Sequence, residues 1–276
     1  MEITKPDIQT IKQMMKAAWE DGDYGQLSRY KKDWDEDFIL RLPVRPGIKL
    51  LDVACGTGYF CILAAKQGAD VTGVDIATNL LEQARKDASE QKVNIRFDEG
   101  DAEALPYADN SFDIVTSMIG AMFAPQPEKV ASELLRVCKP GGTVAMANWT
   151  AEGITGEMFG IGPKYVPPSP GVPYPLLWGN EEVVRQRFGN KVKDLRLTRR
   201  IWQIQFPFGV EESTEHFAKY FGPVKRTFDA LSNDPAKQQQ MKKELVEFWK
   251  KHNRANDGTL LCDAEWLEVI ATKAPA

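Results

Sequence analysis

Histidine is nearly missing from this chain: His216 and His252 are the two in 276 residues. Cysteine is scarce too, and Cys55, Cys61, Cys138 and Cys262 stand scattered, with no close pair and no histidine beside them. That pattern suggests neither a zinc site nor a disulfide framework, and it points to buried, reduced thiols in a cytoplasmic protein. Dense basic blocks are missing as well. The chain sets 35 Lys and Arg against 39 Asp and Glu, a formal net charge of −4. A nucleic-acid backbone needs a basic stripe, so nucleic acid is not an expected partner. No apolar run reaches membrane-spanning length, and the start MEITKPDIQTIKQMMK lacks the continuous apolar region of a secretory signal. No membrane partner is expected, and the localisation read from the sequence is cytoplasmic.

What is present suffices for a full core: 43% of the residues are hydrophobic, most simply one α/β domain with an elaborated cap. The most informative segment is LLDVACGTGYF, Leu50 to Phe60. A buried strand, Leu50 to Val53, feeds a tight turn at Gly56-Thr57-Gly58 that opens into a helix running to about Lys66, with Gly68 placed to end it. The helix start aims free N–H groups at a ligand. About 20 residues on, Asp75 leaves the strand Val71 to Val74, where a carboxylate can accept hydrogen bonds from both hydroxyls of a ribose. This is the cradle of a nucleoside-type cofactor. A Gly-x-Gly turn alone is shared by NAD, FAD and S-adenosylmethionine proteins. The dinucleotide pattern wants Gly or Ala where Cys61 stands, which speaks against a pyrophosphate ligand.

Periodicity extends the reading along the chain. Ile8, Ile11, Met15, Ala18 and Trp19 predict an amphipathic helix before the first strand, and further helices are predicted at about Ala77 to Ala88 and Glu128 to Val137. Strands are predicted at Ile95 to Phe97, Phe112 to Ser117, Thr143 to Asn148, around Trp202, Ile204 and Phe206, and at Trp266 to Ala271. Lys139-Pro140-Gly141-Gly142 reads as a turn, and Asp113 as a structural acid heading a buried strand. The alternation means a doubly wound, mostly parallel sheet with helices on both faces, a Rossmann-like α/β fold.

Four segments in order, DVACGTG, VTGVD, EGDAEALPYADNSFDIVTS (Glu99 to Ser117) and LLRVCKPGGTVAMANW (Leu134 to Trp149), resemble the successive motifs of class I S-adenosylmethionine-dependent methyltransferases. The flavour is that of the small-molecule branch containing the ubiquinone and menaquinone C-methyltransferases, and the resemblance covers residues 45–150. It implies a seven-stranded sheet with an antiparallel last strand, S-adenosylmethionine as cofactor and S-adenosylhomocysteine as product. By the same resemblance Asp52 steers the methionyl ammonium, and Gly56 and Gly58 let the backbone lie along the methionine tail. Asp75, followed by Ile76, holds the ribose diol. Asp101 accepts from the adenine amine while the Ala102 N–H donates to a ring nitrogen, and Ser117, Met118 and Ile119 line the sulfonium. Ala54 stands where the fuller glycine motif has Gly, a frequent variant of this branch.

The rest of the chain should choose the acceptor. Residues 1–44 are read as an N-terminal lid, within which Tyr24 and Tyr30 are candidates to face the cofactor. Residues 151–180 hold Pro167, Pro168, Pro170, Pro173 and Pro175 among Phe159, Tyr165, Tyr174 and Trp178, which predicts a loop-like aromatic lid rather than a regular helix or central strand. Residues 211–255 are read as two helices, the first marked by Phe217, Tyr220, Phe221 and Val224 and the second by Met241, Leu245, Phe248 and Trp249. Together they form an apolar cap over a small-molecule acceptor methylated at oxygen or carbon. His216 is the candidate catalytic base; His252 reads as structural or helix-terminal. No Asn-Pro-Pro-Tyr type signature follows the fourth strand, which disfavours DNA adenine and glutamine side chains as acceptors. No metal is expected, and a homodimer is left open. A binder of S-adenosylmethionine or S-adenosylhomocysteine without transfer activity is the alternative from another class. An NAD-linked oxidoreductase is the third, disfavoured by Cys61 and the Asp101-Ala102 pair.

Overall fold

The computed structural model describes residues 7–21, 23–28, 30, 32–168 and 172–275. Three helices, α1 (Ile8–Asp21), α2 (Gly25–Ser28) and α3 (Lys32–Ile39), precede the first strand. Strand and helix then alternate through β1 (Lys49–Val53), α4 (Tyr59–Lys66), β2 (Asp70–Asp75), α5 (Thr78–Glu90), β3 (Arg96–Glu99), β4 (Phe112–Met118), α6 (Pro127–Val137) and β5 (Cys138–Trp149). Next come α7 (Ile154–Phe159), α8 (Gly162–Tyr165), α9 (Glu181–Phe188) and β6 (Val192–Phe206). The chain closes with α10 (Val210–Tyr220), α11 (Gly222–Ala230), α12 (Pro235–His252) and β7 (Leu260–Lys273).

The seven strands form one sheet in the order β3-β2-β1-β4-β5-β7-β6. Strands β1 to β5 run parallel, and β7 inserts antiparallel to both β5 and β6. This is the Rossmann-like α/β fold predicted from the sequence, with its antiparallel last strand. Leu50, Leu51 and Val53 are wholly buried, as a central strand covered by helices on both faces requires. Strand order reverses between β1 and β4, so a crevice opens at their C-terminal ends, where open α/β sheets bind ligands. Residue 268 of β7 is a fully buried Glu268, held by Arg200 at 2.9 and 3.0 Å and by Arg41 just beyond α3, which ties the N-terminal helices to the far side of the sheet.

Three local expectations are corrected, and one helix was not predicted. Lys139 to Gly142 is a wide bulge within β5 rather than a free turn: α6 ends at Val137, and the register jumps from Phe112↔Cys138 to Ile114↔Thr143. The segment 151–180 contains the short helices α7 and α8, because the prolines fall outside them or, as Pro163 does, in a first helical turn where a missing N–H costs little. Pro170 lies outside the described residues. The second insertion has three helices instead of two, since Gly222-Pro223 ends α10 and starts α11. Helix α9 was not predicted, although Asn180 caps it by accepting the Val183 N–H at 3.1 Å. Among the described residues no helix is long and apolar enough to cross a membrane.

Candidate active site

Two neighbouring cavities lie at the C-terminal edge of the parallel strands. The first, about 1110 Å³ counting space open to solvent, is walled by the β1 turn, the ends of β2, β3 and β4, and α1 above them. It brings together Asp52, Ala54, Gly56, Asp75, Ile76, Asp101, Ala102, Met118, Ile119 and Tyr24 from the residues singled out in the sequence. Gly58, Ser117 and His216 are not in its lining.

The turn explains why two glycines of one motif do different work. Gly56 has φ +55°, and a Cβ built on it would meet no atom within 4 Å, so it would project into the cavity itself. Gly58 has φ +74°, and its Cβ would come within 2.9 Å of the Phe97 ring and 3.0 Å of Ala84. Gly58 therefore lets α4 and α5 pack on β3, and of the two glycines that the sequence reading set along the methionine tail only Gly56 lines the cavity. Ser117 is likewise turned inward: its Oγ accepts the Ala121 N–H at 2.9 Å and shapes the loop after β4.

Asp75 accepts the Gly56 N–H at 2.8 Å and the Ala77 N–H at 2.9 Å, one on each carboxylate oxygen, which leaves lone pairs on both for further donors. Burial pushes its carboxyl above the ordinary value, against the pull of the Ala77, Gly56 and Ile76 N–H groups. Asp52 is 2% exposed and accepts from Thr116 Oγ1 at 2.8 Å and from Cys61 Sγ at 3.6 Å. The hydrogen bond with Cys61 pulls the Cys55 thiol down, but burial and the Asp75 and Asp52 charges outweigh it and leave it raised. The Cys61 thiol is raised by its bond with Cys55, then by burial and Asp52. Both thiols stay protonated. Asp101 accepts the Glu103 N–H at 2.9 Å and an ammonium hydrogen of Lys12 at 2.6 Å.

The second cavity, about 760 Å³, shares Trp19, Tyr24, Ile119 and Phe123 with the first. Rings from every surrounding layer close it: Trp34 of α3, Trp149 of β5, Phe159 of α7, Trp202 of β6, Phe217 of α10 and Trp249 of α12. Trp34 stacks on Trp202 at 5.0 Å and 16°. His216, the candidate base, lines neither cavity. Its Nε2 lies 3.1 Å from the Gln26 carbonyl, and its ring packs against Tyr30, Phe206, Phe208 and Tyr220. His252 ends α12, with Nε2 2.8 Å from Glu157. Asp113 is structural, accepting the Lys49 N–H at 2.9 Å and Lys139 at 2.8 Å. Among the described residues no group of three or more His, Cys, Asp and Glu could hold a metal ion.

Several wall residues escaped the sequence reading. Lys12 and Asp35 belong to the first cavity, and so does the run from Gly120 to Pro125 except the inward Met122. The polar character of Asp35, 0% exposed on a short, mostly acidic helix, was the one available signal.

Comparison with known proteins agrees with this geometry. The methyltransferase domain family matches residues 51–146, which supply most of the first cavity's lining. An uncharacterized protein of Mycobacterium tuberculosis (strain ATCC 25618 / H37Rv) is 31% identical over 266 residues, 96% of this chain and 95% of that one. The chain belongs to the class I S-adenosylmethionine-dependent methyltransferases. Within that family it is 41% identical over 105 residues to a demethylmenaquinone methyltransferase of Renibacterium salmoninarum, covering 38% of this chain and 43% of that one. The likeness to the menaquinone enzymes is thus distant and partial. A Haemonchus contortus phosphoethanolamine N-methyltransferase, solved with S-adenosylhomocysteine, shares the fold at TM-score 0.56 and 21% identity over 88% of this chain and 52% of that chain. Methyltransferases of this family use S-adenosylmethionine, and the cradle suits it. A Gly56 Cβ would stand in the ligand's space, the Asp75 oxygens have free lone pairs for a ribose diol, and the Asp52 carboxylate lines the tail end.

Proposed function

We propose that the chain transfers the methyl group of S-adenosylmethionine to oxygen or carbon of a small, partly apolar molecule, with S-adenosylhomocysteine as product. The observation that carries this reading is the second cavity, which lies against the nucleoside cradle, shares Trp19, Tyr24, Ile119 and Phe123 with its lining and is not filled by side chains. A cofactor sensor has no need of such a chamber, so non-catalytic binding is the weaker alternative.

When bound, S-adenosylmethionine supplies a methyl carbon activated by a positively charged sulfur. The chain's own residues bind, orient and exclude water. Asp75 holds the ribose hydroxyls, and its burial confines them to one geometry. Asp101 and the Ala102 N–H read the adenine edge, and Asp52 draws the ammonium toward the β1 turn. Met118 and Ile119 leave β4 where the two cavities meet, so they border the reacting atoms. Tyr24, shared by both cavities, closes the site from above. Rings of the second cavity hold the acceptor in line and keep water out, and placement of this kind supplies most of what methyl transfer needs.

Calorimetric titration with S-adenosylmethionine, S-adenosylhomocysteine and NAD tests the cofactor, followed by transfer of labelled methyl to small apolar acceptors. Selective binding of the two sulfur nucleosides and label in an organic-soluble product are expected. Binding of NAD alone overturns the reading.

A further inference from the structure

Resting on the methyl-transfer reading above, we infer that the acceptor is a flat, ring-bearing molecule without positive charge, whose reacting atom loses its proton to water rather than to a side chain of the second cavity. Of the nineteen described residues that line this cavity, thirteen are aromatic. The others are Leu27, Ile119, Ile154, Met158, Ile204 and Thr155. Among the described lining residues there is no carboxylate, ammonium, guanidinium or imidazole. Walls of this kind reward flat apolar guests and leave a charged headgroup without a partner.

Charge decides which flat guests fit. Aromatic faces attract cations, but here many of the rings are engaged with one another. Phe159 meets Phe221 edge to face at 6.1 Å and 79°, and Phe217 tilts against Trp249 at 5.0 Å and 47°. Bound S-adenosylmethionine would bring its sulfonium charge to the mouth of the cavity, where a second cation is repelled and an anion is attracted across a poorly screening wall. The lining hydroxyls, on Tyr24, Tyr30 and Thr155, are neutral groups and poor proton acceptors. His216 lies behind Tyr30, outside the lining. The proton therefore leaves to bulk water before the acceptor is enclosed. A lone pair of the anionic atom then forms the bond to the methyl carbon as the carbon–sulfur pair returns to sulfur, so one anion and one cation become two neutral molecules. That cancellation is favoured where the dielectric is low.

Trp19, Trp34, Trp149, Trp202 and Trp249 line the cavity, so quenching of tryptophan fluorescence reads occupancy without turnover. Two ring-matched probes are titrated: 4-nitro-1-naphthol, an anion at neutral pH, and 1-naphthylmethylamine, a cation. Each is added to the S-adenosylhomocysteine complex and to the complex with sinefungin, whose amine places a positive charge near the sulfur position without a transferable methyl. The naphtholate should bind the sinefungin complex at least about tenfold more tightly than either the naphthylmethylammonium does or the S-adenosylhomocysteine complex binds it. Phe159→Leu should weaken the naphtholate several-fold while both nucleosides bind as before. The inference is overturned if the ammonium binds as well as the naphtholate, if the naphtholate ignores the charge beside it, or if no naphtholate binds to a protein that holds both nucleosides. Failure of both nucleosides to bind overturns instead the methyl-transfer reading on which the inference stands.

Discussion

Lys12 Nζ lies 2.6 Å from the Asp101 carboxylate and 2.5 Å from that of Glu103, so α1 is strapped across the β3 end of the cradle. Burial pulls the Lys12 ammonium down, but hydrogen bonds to the two carboxylates outweigh it and raise it above its ordinary value. The other end of the strap is tied by Glu20, which accepts from the Thr78 N–H at 3.1 Å and the Thr78 hydroxyl at 2.9 Å. Lys12→Met should loosen the strap and weaken S-adenosylhomocysteine about three- to tenfold, chiefly through faster dissociation. Stopped-flow dissociation rates check this, and an unchanged rate would mean that the strap does not gate the cradle.

The two turn glycines should fail in different ways. Gly58→Ala forces a Cβ toward Phe97 and Ala84 at a positive φ and should destabilise the fold by about 2–4 kcal/mol. Gly56→Ala meets no neighbour, so its cost should be only about 1–2 kcal/mol of backbone strain, yet it should abolish measurable nucleoside binding. Denaturant unfolding beside calorimetry separates the two effects. Equal stability losses with equal binding losses would contradict the division of labour.

Acid should disarm the cradle earlier than an ordinary carboxylate would allow. The folded-state value of Asp75 is raised by burial. Its contribution to the stability of the ligand-free fold is therefore fully present below the unfolded value and is lost as pH rises through the folded one. Nucleoside binding runs the opposite way, because ribose hydroxyls need the ionised oxygens as acceptors. Affinity for S-adenosylhomocysteine should fall on acidification through the raised Asp75 value, and Asp75→Ala should remove that dependence together with most of the affinity. Calorimetry across a pH series decides it: a decline confined to the ordinary carboxylate range removes Asp75 as the controlling group.

His216 should prove structural. Its Nε2 contact to the Gln26 carbonyl joins α10 to α2, so His216→Asn should lower stability by about 1 kcal/mol. Methyl transfer should keep its rate within about threefold and its pH profile unchanged. Loss of a pH limb in the variant would reinstate the histidine as a base.

Much of the cofactor side was legible because it is local. Leu50 to Gly58 is one unbroken segment in which a buried strand, left-handed turn positions and a helix start follow directly from residue type. Asp75 could be located because its strand must pair beside the first. The opposite orientations of Gly56 and Gly58 could not be read there, since the two residues are alike in sequence and differ only in what Phe97 and Ala84, from β3 and α5, bring against one of them. Helix α9 was legible and missed: Asn180 followed by Glu181 and Glu182 is a helix-start signal hidden behind a proline-rich stretch. The split of the second insertion was also written in the chain, as Gly222-Pro223.

The sequence by itself determined the α/β alternation, the class of cofactor cradle and several of the residues that line it, because hydrophobic period, turn chemistry and a few carboxylates act over short spans. Only the tertiary structure decided what the second cavity is made of. Trp34, Trp149, Phe159, Trp202, Phe217 and Trp249 come from six elements spread over more than two hundred residues, and each looks like an ordinary packing residue on its own helix or strand. They become one ring-walled chamber because β6 and β7 fold back antiparallel and carry the helical insertion over the end of the sheet. No local pattern encodes that convergence, which also leaves His216 on the outside of it.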